Sequence, residues 1–427
     1  MLQTAKSQRA RVHFLLLAGL LIREAFSFWT GHPTDFELWV RLGFAMNHGG
    51  NPYGVLSAVP GLSFSNAFSY LTAPTIAYLP FWPLVTGAIY ALYSLLGFSN
   101  RFVYYFLLKQ PIIFGDISLA YLLYRYVSSR KEGPVARWVL SFWLFSPFTI
   151  ILSSIWGMFD SIAMAFVFMS ILSTRQVSKS IWAGLGTFAK SIPIIYSIPL
   201  TMNRRKDIGA LTVAVVIPTV LSAFTFLVMG WPLSTVSATL ESAAAKGWWS
   251  MSFWDAVFYL NFLGRFPALP QIEYTILGLL WVPAVIIFTA LAFKRFQTET
   301  DYGLIQVLIV VTLAFLIFKA RVAEQYAIYL LALGAVDVAL WNPGRKRLLY
   351  GTLIVAIIYL ILNNYFLVRF LSPIYPGFVN FEGAMYDLIG PIRYALSFLL
   401  GTVFTCLNLL YLADVLRAPR SRVDAIG

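Results

Sequence analysis

The run GLIQVLIVVTLAFLIFK, residues 303–319, carries sixteen uncharged residues before its closing lysine. A hydrocarbon layer about 30 Å thick asks for roughly 20 such residues in a helix, because nothing inside it can satisfy a bare backbone. Comparable runs recur outward in both directions. They cover 12–30, 71–97, 103–127, 137–155, 161–174, 180–201, 208–230, 274–293, 322–341, 347–368 and 391–414. Runs this long predict helices, since a barrel shows alternating segments of about ten residues. The expected fold is therefore all-α: a polytopic transmembrane bundle of about 11–13 membrane segments, forming one domain over 1–427.

Composition agrees. The chain is 59% hydrophobic and 11% charged, too few charges to cover a water-exposed globule of 427 residues. Its formal charge of +13 does not point to nucleic acid, because the basic residues sit in short loops between apolar runs. Seven stretches are assigned to the cytoplasm: 1–11, 128–137, 174–180, 203–207, 294–302, 342–348 and 417–427. They hold 19 of the 31 Lys and Arg, although the stretches outside them contain many more residues. The single cysteine, Cys406, excludes an intrachain disulfide and a cysteine metal site. No small-residue cleavage site follows the first apolar run, which reads as an uncleaved span.

If every run crosses once, these basic loops cannot all be inside. Two runs offer a way out: 180–201 has Lys190 and Pro193 near its middle, and 71–97 has Pro74, Pro80 and Pro83. Either is expected to enter and return as two half-helices around a protein cavity. Three stretches are placed outside: 31–70, 231–273 and 369–390. The first contains TDFELWVRLGFAM (34–46), whose apolar residues recur at helical spacing and predict an interfacial helix.

Ionisable groups near a bilayer core call for a reason. Asp35, Glu37, Asp116, Asp160, Lys190, Lys319, Arg321, Glu324 and Gln325 gather toward the outer face in this topology. Local readings compete with a shared site. Asp116 has Lys109 two turns away, Arg321 and Glu324 are three apart, and Asp35 or Asp160 could cap a helix. Arg23 and Glu24 read as a packing pair and Asp337 as structural. His13, His32 and His48 are too scattered for a metal site.

Five patterns in order resemble the GT-C glycosyltransferases that use polyprenyl-phosphate sugars. The likeness is to the branch with the ER glucosyltransferases of N-glycan assembly, the first mannosyltransferase of GPI anchors, and prokaryotic relatives. The patterns are Thr34-Asp35-Phe36-Glu37 followed by Gly49-Gly50-Asn51-Pro52-Tyr53, then Lys109-Gln110-Pro111 with Asp116 and Tyr124-Arg125. Trp156-Gly157-Met158-Phe159-Asp160-Ser161, Lys190 with Pro193 and Pro199, and Arg321-Val322-Ala323-Glu324-Gln325-Tyr326 follow. Two departures stand out: Asp35-Phe36-Glu37 is D-x-E where the family has D-x-D, and Met158 replaces a glutamine.

The resemblance implies transfer of mannose or glucose from a polyprenyl or dolichyl phosphate to a lipid-linked or glycan acceptor outside the cytoplasm. It implies Asp35 as general base, with Glu37 as alternative. Arg321, Lys190 and then Lys109 would meet the leaving phosphate, and Asp116, Asp160, Glu324, Gln325 and Tyr326 would line the pocket. No cofactor is required, although the paired acids admit a divalent Mg or Mn ion. The partners implied are donor, acceptor and bilayer, with no nucleic acid. The expected membrane is the plasma membrane of an archaeon or bacterium, or the ER in a eukaryote. A secondary transporter or a lipid-linked-sugar flippase is the rival reading, since it also explains broken helices and intramembrane charge.

Overall fold

The structure, a computed structural model, describes residues 2–65, 76, 78–131, 133–202, 207–232, 234, 250–254 and 278–418. Among them every regular element is helical and no strand occurs. The helices are α1 (Leu2–Ser27), α2 (Asp35–Asn47), α3 (Phe81–Leu95), α4 (Arg101–Ser128), α5 (Pro134–Leu144), α6 (Pro147–Ile150), α7 (Asp160–Leu172), α8 (Gln176–Ala189), α9 (Ser197–Thr201) and α10 (Ile208–Met229). Further along the chain come α11 (Trp281–Arg295), α12 (Asp301–Phe318), α13 (Ala327–Leu340), α14 (Lys346–Asn363) and α15 (Phe378–Arg417).

Among the described residues, five helical stretches are long and apolar enough to cross a membrane: Arg101–Ser128, Ile208–Met229, Asp301–Phe318, Pro343–Asn363 and Leu388–Arg417. The bent α5–α6 pair would make a sixth. Helices α3, α7 and α13 have 15, 13 and 14 residues. At about 1.5 Å per residue they reach roughly 20–23 Å, short of a full crossing.

The opening sequence run forms α12, and α12 lies at the centre. Residues 302–317 are all buried, as is every residue of α13. A helix apolar on all sides can bury itself only inside a bundle. α12 packs on α11, α13 and α15, and α13 packs on α4, α5 and α14. Polar exceptions in this core are paired: Thr312 with the Tyr196 hydroxyl at 2.8 Å, and Gln306 donating to Asp337 at 2.6 Å. Asp337 also pairs with Arg345 at 3.0 Å, which reaches Asp414 at 2.5 Å, locking α13, α14 and α15 together. By contrast α10 and α11 leave Leu227, Val228, Ile286 and Ile287 outward and exposed.

The sequence reading needs four corrections. The 137–155 run is not one straight span. Pro147 forces Ser146 into an extended conformation (φ −65°, ψ 124°), and the chain bends by 44°. A π-helical turn, Ile151–Trp156, follows and ends on Gly157 at φ +92°. The 347–368 run stops at Asn363, where Tyr365, Phe366 and Leu367 all take positive φ (47°, 55° and 68°). Residues 319–323 are not helical, so 322–341 becomes a short 3-10 turn, Glu324–Tyr326, and α13. Finally, α2 is present where predicted, but eight successive residues, Phe36 to Gly43, are buried. Protein surrounds Phe36–Gly43 where a half-exposed amphipathic stripe was expected, and leaves Asp35 at the start part-open.

Of the two runs expected to break, 180–201 does so at Lys190, whose extended backbone ends α8 before the turn Ile192–Tyr196. In the other, 71–75 and 77 lie outside the described residues. So do most of the 231–273 loop and the basic residues of 203–206 and 419–427.

Candidate active site

The site is assembled where α2 begins. His32 Nδ1 accepts from the backbone N–H of Thr34 (3.2 Å) and of Asp35 (3.1 Å), capping the first turn. With Nδ1 used as an acceptor, the ring is neutral. Burial and the nearby Arg369 hold its pKa well below the usual histidine range, against a hydrogen bond with Asn364. The 3.4 Å approach of His32 to Asp35 is thus a neutral contact, not an ion pair.

Asp35 Oδ2 accepts from Trp156 Nε1 at 2.9 Å. Its side chain remains 28% exposed, the openness a catalytic carboxylate needs. Burial raises its pKa; the Trp156 N–H, then Arg369, Arg321 and Lys190, pull it back down. Cations from three remote segments therefore act on one carboxylate at the mouth of α2. Tyr78, Tyr326 and Glu324 belong to the same electrostatic group, each coupled to Asp35.

These cations are not equivalent. Lys190 Nζ lies 2.6 Å from Asp160 Oδ2, with both side chains nearly sealed (2% and 1% exposed). Its charge also faces the rings of Phe159 (5.0 Å), Tyr78 (5.3 Å) and Tyr326 (5.9 Å). Asp160 is the first residue of α7 and makes no side-chain cap; its other oxygen accepts from the Tyr329 hydroxyl at 3.4 Å. Arg321, in the extended 319–323 segment, has no hydrogen bond or ion pair among the described residues. Lys319 sits over Trp281 and Phe315 (5.4 and 5.7 Å), and burial plus Arg321 push its pKa down to about 8.

Arg321 and Glu324 do not pair, because the helix that would set them three apart is absent. Glu324 instead accepts from Asn363 Nδ2, whose Oδ1 accepts from Arg393 at 3.0 Å. Burial raises the Glu324 pKa. Gln325 is 6% exposed, and its Oε1 has no partner among the described residues.

Three expected site residues are committed elsewhere. Lys109 does not pair with Asp116. Its Nζ donates to the Thr30 carbonyl (2.6 Å), the Thr30 hydroxyl (2.9 Å) and the Ser154 carbonyl (2.5 Å), leaving no N–H for a phosphate. Asp116 pairs with Arg23 at 2.6 Å, both fully buried, and accepts from Trp143 (2.9 Å) and Ser161 (2.7 Å). Arg23 is thus partnered by Asp116 and not by its neighbour Glu24. Glu37 is fully buried, pairs with Arg41 at 2.6 Å and accepts from Phe64 N at 2.9 Å. Arg41 in turn donates to the carbonyls of Leu56 and Ser65, so this pair pins the loop 56–65 under α2. Glu37 holds structure two residues from Asp35.

Sequence reasoning passed over Arg369, Trp156 and Tyr78. Trp156 stood inside a quoted motif and Arg369 opened an outside stretch, but neither neighbourhood follows from spacing. The strained 365–367 turn brings them together. It presents Phe370, whose carbonyl accepts from Gly31 N at 2.9 Å and whose ring faces His32 and Trp156 (5.6 and 5.7 Å). Three successive non-glycine residues at positive φ cost about 1–3 kcal/mol each and persist only where surroundings enforce them. Beside the turn, Ile358, Leu362, Phe366, Leu396 and Leu399 line a purely apolar cavity of about 270 Å³ between α14 and α15. Among the described residues, no three His, Cys, Asp or Glu side chains gather as a metal site would require. No family model and no curated protein matches the sequence.

Proposed function

We propose that the protein is a membrane glycosyltransferase. It moves a hexose, mannose or glucose, from a polyprenyl-phosphate sugar to a lipid-linked or glycan acceptor on the extracytoplasmic face. The observation that carries this reading is Asp35: a part-exposed carboxylate with one oxygen held by Trp156 and acted on by Arg369, Arg321 and Lys190. A sugar hydroxyl attacks only as its proton leaves, and a carboxylate within reach can take it. As the phosphate departs, negative charge grows on its oxygens, and fixed cations stabilise that charge more than the ground state. Arg321 suits this role, since no described partner occupies its guanidinium. Lys190 contributes from inside its ion pair with Asp160, as a field and not as a direct ligand. The apolar groove at Phe366 lies on the same turn as Arg369, which suits a prenyl chain held beside one of these cations. The membrane is the plasma membrane of a prokaryote, or the ER membrane in a eukaryote.

A transporter would also break a helix at Lys190, so the test has two arms. Purified protein in liposomes receives radiolabelled polyprenyl-phosphate mannose or glucose and a lipid-extract acceptor. Label appearing in a new glycolipid or glycan supports transfer. Label crossing the bilayer unchanged, with no new product, refutes it.

A further inference from the structure

Trp156 is tied down on every side that matters. The π-turn Ile151–Trp156 carries it to the end of a broken span, and Gly157 at φ +92° turns the chain away. A Cβ at Gly157 would meet Phe36 Cδ2 at 2.7 Å, so the π-turn and α2 are in close contact. Its carbonyl accepts from His32 N at 3.3 Å, and its indole stacks on the His32 ring (4.7 Å, 16°). Phe370 lies beside that stack, tilted against both rings (5.6 and 5.7 Å). The indole N–H is left to point at Asp35 Oδ2.

We propose that Trp156, locked by His32 and Phe370, is the positioning residue that fixes the Asp35 carboxylate so that Oδ1 faces the acceptor hydroxyl. The proposal rests on the glycosyltransferase reading. Trp156 is buried, 4% exposed, and acts through Asp35. A donated hydrogen bond favours the ionised carboxylate, and its loss leaves burial less opposed. The other groups acting on Asp35 stay in place: His32 on its own loop, Arg369 on the strained turn, Arg321 on the extended segment, and Lys190 at the helix break. Tyr78, Tyr326 and Glu324 complete the set.

The test is the pH profile of sugar transfer by Trp156→Phe, which keeps the ring stack and removes the N–H. The acid limb of kcat/KM is expected to move up by about one pH unit, roughly a tenfold loss of rate below the limb. The KM for the donor should stay within about twofold, as Trp156 acts through Asp35. An acid limb at the parental pH in a folded, active Trp156→Phe protein overturns the proposal. Should that protein not fold, His32→Asn carries the test. Asparagine keeps a capping acceptor for α2 but removes the ring that holds the indole, and the limb should move the same way; an unmoved limb again overturns it. Absence of transfer by the parent protein refutes the glycosyltransferase reading and full transfer by Asp35→Asn refutes Asp35 as the base, whereas an inactive Asp35→Asn beside an unshifted Trp156→Phe refutes only the positioning role.

Discussion

Replacing Lys190 by methionine removes one charge from a pair that is almost completely enclosed. The partners are 2.6 Å apart, with 2% and 1% of their side chains exposed. In Lys190→Met, Asp160 keeps only the long 3.4 Å bond from Tyr329 among side chains. An uncompensated buried charge of this kind costs about 3–5 kcal/mol, or 10² to 10⁴ in the folded fraction. The double variant Lys190→Met with Asp160→Asn leaves no buried charge and should recover most of that loss, giving a coupling of more than about 1.5 kcal/mol. Equilibrium unfolding of the four proteins in mixed micelles measures it. A single variant within about 0.5 kcal/mol of the parent, or a double variant whose loss equals the sum of the singles, refutes the pair as a stabilising contact.

Two further substitutions separate chemistry from architecture. Arg321→Gln should lower kcat/KM for transfer by about 10²–10³, the effect of one fixed transition-state donor. Its unfolding midpoint should hardly move, since no described group loses a partner; transfer at the parental rate excludes Arg321 from the phosphate. Asp116→Asn should destabilise the fold by about 3–5 kcal/mol by stranding the Arg23 charge. Unchanged stability in micelle unfolding would show that Arg23 needs no carboxylate.

The long runs were legible because one cause, the length needed to cross an apolar layer, sets them. α4, α10 and α12 begin or end within two residues of their predicted bounds. What escaped was set by tertiary packing. A run containing Pro147 reads as continuous by hydropathy, yet the imide ring disfavours helix at Ser146 and produces a bend. Positive φ at Tyr365, Phe366 and Leu367 has no sequence signal, because none of the three is glycine, asparagine or aspartate. Pairing of charges was equally hidden. Spacing offered Lys109 to Asp116 and Arg321 to Glu324, both neighbours in sequence. The folded chain gives Asp116 to Arg23, 93 residues away, and Glu324 to Asn363. Asp35 was singled out from its motif together with Glu37; the two differ in that Glu37 faces Arg41 and Phe64 while Asp35 faces Trp156 and remains open.

The most direct measurement is sugar transfer by Asp35→Asn. Asparagine can keep accepting from Trp156, so the local contact survives while the base is lost. The folded-state pKa of Asp35 is raised, so its contribution to stability is present at low pH and is lost as pH rises through that value. Above that value the ionised, part-buried carboxylate opposes folding, and there the uncharged variant should unfold no earlier than the parent. The parent should show transfer rising with pH through a limb above the ordinary carboxylate range near 3.9. Asp35→Asn, folded and still binding donor, should show none at any pH; transfer at the parental rate would contradict a base at Asp35 and with it the proposed chemistry.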